Sequence, residues 1–116
     1  EAPIVNHSTS LKDALMTITE KKLGVALITK NKKVIGVFTD GDLRRSLNNE
    51  VDINETAIKD VMTSNFLSIQ SNALAIEAAE MMEKNKIFSL VVNSPNDTES
   101  NLGVITMHQL LESGVI

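Results

Sequence analysis

The sequence predicts an α+β fold made of two similar copies, each in the order strand–helix–strand–strand–helix. The 116-residue chain repeats its own pattern at an offset of 64 residues. Each repeat opens with apolar residues at helical spacing and continues with short aliphatic runs typical of strands. A lone copy of about 50 residues could hardly bury enough apolar surface to fold. We therefore expect the two copies to pack together with pseudo-two-fold symmetry.

Each copy opens with a short strand and an amphipathic helix. The leading strands are predicted at Ile4-Val5 and at residues 66–69. A stripe with i, i+3, i+4, i+7 spacing predicts one helix near residues 10–22 and another near 73–85. Ser10, followed three residues later by an aspartate, predicts the start of the first helix. The stripes are Leu11, Ala14, Leu15 and Ile18 in one copy, and Ala75, Ala78, Ala79 and Met82 in the other.

Two more strands and a short second helix complete each copy. The first copy has strands at 25–28 and 35–39, and the second copy has them at 90–92 and 102–106. The polar loop between them, at 94–100 in the second copy, is longer there, so the offset becomes 67 after it. A change of loop length that keeps the flanking pattern is what a surface turn tolerates.

The repeat divides the chain into a first copy at 1–48, a polar connector at 49–57 and a second copy at 58–116. The second copy begins with a lead-in, residues 58–63 (Ile-Lys-Asp-Val-Met-Thr), ahead of its first strand. At an offset of 64, the counterpart of this lead-in would fall before residue 1. Together with the absence of an initiator methionine, this predicts that the chain is cut from a longer one.

Composition and charge exclude several classes of function. The absence of cysteine excludes disulfides, thiolate metal sites and a cysteine nucleophile. A net charge of −4 with only 3% aromatic residues argues against a nucleic-acid platform. The longest apolar run is far below the roughly 18 residues of a membrane helix. Residues 1–48 hold eight cations and five acids, and the remainder three and ten, so an anionic ligand would prefer the first copy.

The most informative segment is the strand-to-helix turn that runs from Gly36 to Asp42. Thr39 ends a strand and Asp42 stands at the third helical position, a capping-box pattern that Thr106 and Gln109 repeat. Capping alone is a sufficient explanation of both threonines. The alternative is a ligand site, because a helix N-terminus attracts phosphate. The Thr39 hydroxyl would then donate to a phosphate oxygen, Asp42 would accept from a ribose diol in a cavity, and Gly36 would leave room for a flat base.

This arrangement resembles a tandem pair of CBS domains, often called a Bateman module. The family's signature is glycine, two hydrophobic residues, serine or threonine, two variable residues and aspartate. Residues 36–42 meet it in full, whereas the second copy departs from it at Gln109. Segments 10–15, 22–25, 36–45 and 107–111 further resemble the C-terminal regulatory region of arabinose 5-phosphate isomerases, a family of sugar isomerases.

The resemblance implies a non-catalytic, cytoplasmic regulatory module with no metal site. Its ligand would be a nucleotide or nucleotide-sugar, with AMP, ATP and CMP-Kdo as candidates. Its partners would be a missing N-terminal sugar isomerase domain, which acts in Kdo and lipopolysaccharide biosynthesis, and a second copy in a homodimer; neither nucleic acid nor membrane is expected. The implied ligand-binding residues are Ile4, Val25, Gly36, Thr39, Asp40, Asp42, Thr106 and His108.

Two other functions remain open from the residues alone. One is a structural dimerisation module of the same enzyme without ligand sensing, which the loss of aspartate at Gln109 favours. An Asp42 turned away from any cavity, with its oxygens consumed by local backbone, would rule out ligand sensing and leave only a packing unit. The other is an isolated isomerase, which needs a positioned base and acid. His7 and His108 belong to different copies, so the sequence supplies no such pair.

Overall fold

The computed structural model describes residues 2–21, 24–93 and 103–114. Within those ranges each copy builds its own three-stranded sheet and carries two helices. The predicted α+β class and the predicted order of elements are confirmed. The predictions made for residues 22–23 and for the 94–102 segment lie outside the described residues.

The first copy has five elements in the predicted order. Its sheet has the order β1-β2-β3, with β1 parallel to β2 and β2 antiparallel to β3. Between β2 and β3, residues 31 and 32 both have positive φ, at 52° and 67°, which is the geometry of the tight turns favoured in hairpins. The elements are β1 (Ile4–Asn6), α1 (Leu11–Lys21), β2 (Val25–Lys30), β3 (Lys33–Thr39) and α2 (Asp40–Asn48).

The second copy repeats this topology. Its sheet has the order β4-β5-β6, again with a parallel pair followed by an antiparallel pair. The helix that begins this copy starts at Ala75, two residues after the predicted start. The elements are β4 (Ser68–Gln70), α3 (Ala75–Asn85), β5 (Ser89–Asn93), β6 (Gly103–Thr106) and α4 (Met107–Ser113).

Contacts divide the chain into two compact units, Glu1–Phe66 and Leu67–Ile116, called here the first and second units. The lead-in, which by sequence opens the second copy, packs in the first unit. Ile58 forms a short 3-10 turn with its two successors, is fully buried, and belongs to the first unit's core. The contacts and the sequence repeat therefore assign residues 58–66 to different halves.

Each unit has its own apolar core. Leu11 and Ala14 from α1 are fully buried, so the predicted helical stripe faces the core of the first unit. None of the helices in the described ranges is long and apolar enough to cross a bilayer. The buried core residues are Val5, Leu11, Ala14, Ala26, Ile28, Phe38 and Ile58 in the first unit, and Ala78, Ala79, Met82, Leu90 and Leu110 in the second.

Candidate functional site

The turn from β3 to α2 forms the predicted capping box. Thr39 is extended, with φ −118° and ψ 171°, and α2 begins at the next residue. Its Oγ1 accepts a hydrogen bond from the backbone N–H of Asp42 at 3.3 Å. In return, Oδ2 of Asp42 accepts from the Thr39 backbone N–H at 2.9 Å. Two helix-end amides are thereby satisfied, which fixes where the strand ends and the helix starts.

The carboxylate of Asp42 is buried and fully engaged within the protein. The residue is 3% exposed. Besides the Thr39 backbone, Oδ2 accepts from the Thr39 hydroxyl at 3.2 Å. Oδ1 accepts from the Thr63 hydroxyl at 2.8 Å and forms an ion pair with the Arg45 guanidinium. A charge taken out of water needs such partners, and four donors supply them.

Asp42 does not line the cavity beside the turn. This cavity has a volume of about 230 Å³. A ribose diol would reach Asp42 only by displacing Arg45 or Thr63. The assignment of Asp42 as a ligand residue therefore stays a prediction. In the structure, its carboxylate completes the capping box at the start of α2.

The cavity has apolar walls and a polar rim. Leu15, Ile18, Phe38 and Leu43 provide the walls. Thr19, Gly24, Thr39 and Asp40 provide the rim. The volume lies below the roughly 300–1,000 Å³ typical of sites for drug-sized ligands, so the cavity suits one group of a ligand, such as a base, rather than a whole nucleotide.

Gly24 is a rim residue that the sequence analysis did not assign to the site. Its φ is +81°, a conformation that favours glycine. A Cβ at this position would lie 3.2 Å from Oδ2 of Asp40. A glycine directly ahead of a predicted strand was the signal that could have found it, since such a glycine often marks a left-handed turn after a helix.

Gly36 has a different neighbour from the one expected. The space above it, predicted to admit a flat base, is taken by the lead-in. A Cβ at Gly36 would collide with Sδ of Met62 and would lie 2.9 Å from the Thr63 backbone oxygen. The missing side chain therefore lets the lead-in approach β3, and Gly36 does not line the cavity.

The remaining predicted residues of the first unit also lie off the cavity. Val25 is buried in β2, opposite Thr39 in the hairpin register. Ile4 is half exposed on β1. Of the four residues predicted around the turn, Thr39 and Asp40 are brought to the cavity, and Gly36 and Asp42 are not.

The second turn, from β6 to α4, has the same cap without the same surroundings. Gln109 receives the Thr106 backbone N–H at 2.9 Å and donates its own N–H to Thr106 Oγ1 at 3.1 Å. Gln109 is exposed. His108 is also exposed, with Nε2 3.2 Å from Oε1 of Glu112 one turn along the helix. His108 therefore lies on the solvent side of α4.

The described part of the chain offers little catalytic or metal-binding chemistry. Among the residues lining the first-unit cavity, Asp40 is the one titratable side chain. No group of three histidine, cysteine, aspartate or glutamate residues within the described ranges could hold a metal ion. A base and an acid are not brought together at this cavity.

Comparison with known sequences gives two matches to one family. The family model described as "CBS domain" matches residues 1–49 and again residues 58–115. The arabinose 5-phosphate isomerase KdsD of Yersinia pestis is 41% identical over 117 residues, which cover all of this chain and 35% of that protein. The protein of the same name from Pseudomonas aeruginosa is 42% identical over 115 residues, 98% of this chain and again 35% of the relative. The chain thus spans about a third of the length of these relatives.

Solved structures share the fold at low sequence identity. The CBS domain structure NE2398 superposes with a TM-score of 0.86 at 16% identity, covering 100% of this chain and 89% of the other. CBSX2 in complex with AMP gives 0.79 at 24% identity, covering 99% and 88%. The CBS domain pair of MJ0100, in complex with 5-methylthioadenosine and S-adenosyl-L-methionine, gives 0.79 at 21% identity, covering 97% and 92%.

Proposed function

The chain belongs to the CBS domain family as a tandem pair, and we propose that it is a regulatory module that binds an adenine nucleotide. The binding site is the turn from β3 to α2. One observation carries the proposal. Thr39, the threonine of the complete family signature at 36–42, lies both at the start of α2 and on the rim of a cavity with apolar walls.

The chemistry of the turn fits a phosphorylated ligand with a flat base. The apolar walls of the cavity suit a base, whose faces are apolar. The N–H groups at the start of α2 suit a phosphate. The Thr39 hydroxyl would join them by giving up its hydrogen bond to Oδ2 of Asp42. Residues 40–45 contain two acids and two arginines, so their formal charges cancel. The attraction for phosphate therefore comes from the helix end.

The choice of adenine rests on what related folds carry. CBSX2 holds AMP, and the pair from MJ0100 holds two compounds that contain adenosine. The adenosine group is the chemistry they have in common. AMP is therefore the first ligand to test, ahead of ATP and CMP-Kdo, which rest on the sequence resemblance alone.

We also propose the setting in which the module acts. It is the regulatory part of an arabinose 5-phosphate isomerase on the route to Kdo and lipopolysaccharide, and its catalytic sugar isomerase domain lies outside this chain. The support is the identity of about 41% to such isomerases over the whole chain. Ligand binding would change the activity of that domain through a coupling of about 1–3 kcal/mol, the usual size of allosteric effects. The parent enzyme would be a homodimer.

A second candidate function has a specific observation in its favour. Both oxygens of Asp42 are engaged by the protein, which leaves this carboxylate without a free lone pair aimed at a ligand. A module that only holds the parent enzyme's oligomer together needs no such lone pair. The two functions make opposite predictions for nucleotide binding.

A thermal-shift experiment separates the two functions. The thermal midpoint of the chain is measured with increasing concentrations of AMP, ATP, CMP or CMP-Kdo. A ligand at about 100 times its dissociation constant adds about 2.7 kcal/mol to the free energy of unfolding. We expect stabilisation by AMP. No shift with any nucleotide, together with a dimer that dissociates on dilution, would instead support the structural module.

Two valine variants provide a matched control. Thr39→Val and Thr106→Val each remove one capping hydroxyl, so both are expected to lose about 1 kcal/mol of stability. Only Thr39→Val removes a hydroxyl from the cavity rim. We expect Thr39→Val to abolish the AMP shift and Thr106→Val to keep it. An equal loss in both variants would show that the effect is one of stability and not of the site.

A further inference from the structure

Asp40 places a carboxylate on the rim of the first-unit cavity. The side chain is exposed and lines the cavity. A Cβ at Gly24 would lie 3.2 Å from its Oδ2, so the carboxylate reaches from the start of α2 toward the turn before β2. Within the ranges that the structure describes, the side-chain hydrogen bonds and the ion pair at this turn go to Asp42, and none goes to Asp40. The charge of Asp40 is therefore available to a ligand that enters the cavity.

The capping box does not need an acid at this position. At the repeat offset of 67, Met107 of the second turn is the counterpart of Asp40. The first turn of α4 contains no acid, and yet Thr106 and Gln109 complete the same cap. An acid in the first turn favours a helix through the helix dipole, which does not require it to face a cavity. Capping therefore does not account for a carboxylate on the cavity rim.

The first turn offers two backbone amides to a ligand. The N–H of Asp42 is taken by the capping hydroxyl at 3.3 Å. Among the described residues, the N–H groups of Asp40 and Gly41 have no hydrogen-bond acceptor. At the second turn, by contrast, the N–H of Met107 donates to the Phe88 oxygen at 2.8 Å. Two amides at a helix end match the oxygens of one phosphate group.

Charge is the second feature that separates one phosphate from several. A Cβ at Gly41 would lie 3.6 Å from a guanidinium nitrogen of Arg45, so this cation is close to the amides. Because Arg45 forms an ion pair with Asp42, their charges offset each other. Arg44 does not line the cavity, and Asp40 is the one charged side chain among the residues that do. A second phosphate group would therefore meet a negative charge, with both amides already used.

We propose that Asp40 restricts the ligand of this site to a single phosphate. The inference rests on the nucleotide site proposed above and narrows its ligand class to nucleoside monophosphates. Like charges about 4 Å apart in water weaken binding about fivefold, and each further phosphate of a nucleotide adds such a charge. Asp40 is thus a specificity residue. It disfavours longer phosphate chains more than the single phosphate that the amides of α2 compensate.

Calorimetry with three chains tests the proposal. AMP and ADP, which differ by one phosphate group, are titrated into the native chain, Asp40→Asn and Asp13→Asn, without divalent cations that would mask the phosphate charge. Asp13 is the matched control, because it is an exposed acid in the first turn of α1 and does not line the cavity. We expect the ratio of the ADP dissociation constant to the AMP dissociation constant to fall about fivefold in Asp40→Asn. The ratio should not change in Asp13→Asn.

Two further measurements separate the charge of Asp40 from its shape. Asp40→Glu keeps the charge, so it should keep the ratio of the native chain. Salt screens exposed charges, so raising the ionic strength from about 0.01 M to about 1 M should lower the ratio more in the native chain than in Asp40→Asn.

The results distinguish the role of Asp40 from the existence of the site. No binding of AMP to the native chain would overturn both. AMP binding with an equal ratio in the native chain and in Asp40→Asn would overturn only the role of Asp40. Loss of AMP binding in Asp40→Asn would also overturn that role, because the carboxylate would then be a hydrogen-bond acceptor for the ligand.

Discussion

The two strand-to-helix turns use the same cap, but the residue that completes the cap lies in different surroundings. The hydroxyls of Thr39 and Thr106 each accept from the N–H of the third helical residue. In return, the backbone N–H of each threonine donates to the side chain of that residue at 2.9 Å. Asp42 is buried with four donors around it, whereas Gln109 is exposed. A cap needs one acceptor at this position, and either side chain supplies it.

The difference therefore has a cause outside the cap. Thr63, one of the donors to Asp42, belongs to the lead-in that covers the first unit. A motif residue such as Asp42 can therefore bind a segment 21 residues away, even though its local capping bonds alone would account for an acceptor at that position. Four substitutions test how the surroundings of the two turns differ.

The largest effect is expected from Ile58→Ala. Truncating a fully buried aliphatic side chain costs about 2–5 kcal/mol, because apolar contacts are lost and a cavity remains. The loss should fall on the first unit, whose core contains Ile58, and chemical denaturation followed by residue-resolved exchange measures it. Lys59→Ala, an exposed neighbour, serves as the control and should stay within about 0.5 kcal/mol. Equal effects of the two changes would mean that the lead-in does not pack as described.

Asp42→Ala is expected to cost more than Gln109→Ala. Both remove the return bond of a capping box, worth about 1 kcal/mol. Asp42→Ala also removes the charged acceptor of the half-buried Thr63 hydroxyl, and a hydrogen bond to a charged group is worth about 1.5–3 kcal/mol. The difference in the free energy of unfolding between the two variants should therefore be about 1.5–3 kcal/mol. Equal losses would show that the network around Asp42 adds nothing to the cap.

Arg45→Ala is expected to strengthen AMP binding. Arg45 competes with a ribose diol for Oδ1 of Asp42, and its side chain is 67% exposed. Because water screens a guanidinium this exposed, we expect its pairing with Asp42 to be worth about 0.2–1 kcal/mol, so removing this competitor should tighten binding by at most about fivefold. Arg44→Ala is the matched control, since it removes the same charge one residue away. Calorimetry that finds weaker binding in Arg45→Ala would show that this guanidinium contacts the ligand instead.

The smallest effect is expected from His108→Ala. His108 and Glu112 are both exposed and lie one turn apart on α4. Such pairs stabilise a helix by about 0.2–0.5 kcal/mol, so the thermal midpoint should hardly move. AMP binding should be unchanged, because His108 is not among the residues that line the first-unit cavity. A loss of AMP binding in this variant would assign a second site to the turn at Thr106.

Local features of the fold were predictable from the sequence, and non-local ones were not. The helical stripes, the strand order and both capping boxes follow from residues within a few positions of one another. The partner of Asp42 in the lead-in and the cover over Gly36 depend on where residues 58–63 pack, which no local pattern specifies. The sequence repeat in fact suggested the opposite unit for that segment. The cavity rim was found in part, through Thr39 and Asp40, because those residues lie at a turn with its own signal.

The most direct test of a nucleotide site at the first turn is a titration of the isotope-labelled chain with AMP, followed by nuclear magnetic resonance. We predict saturable shifts of the backbone amide signals of Gly24, Thr39, Asp40 and Gly41, with the signals of Thr106 and His108 unmoved. Adenosine, which lacks the phosphate, should shift Gly24 but not Gly41, which stands at the start of α2. Shifts confined to the second unit, or none at all up to millimolar AMP, would contradict a nucleotide site at the first turn.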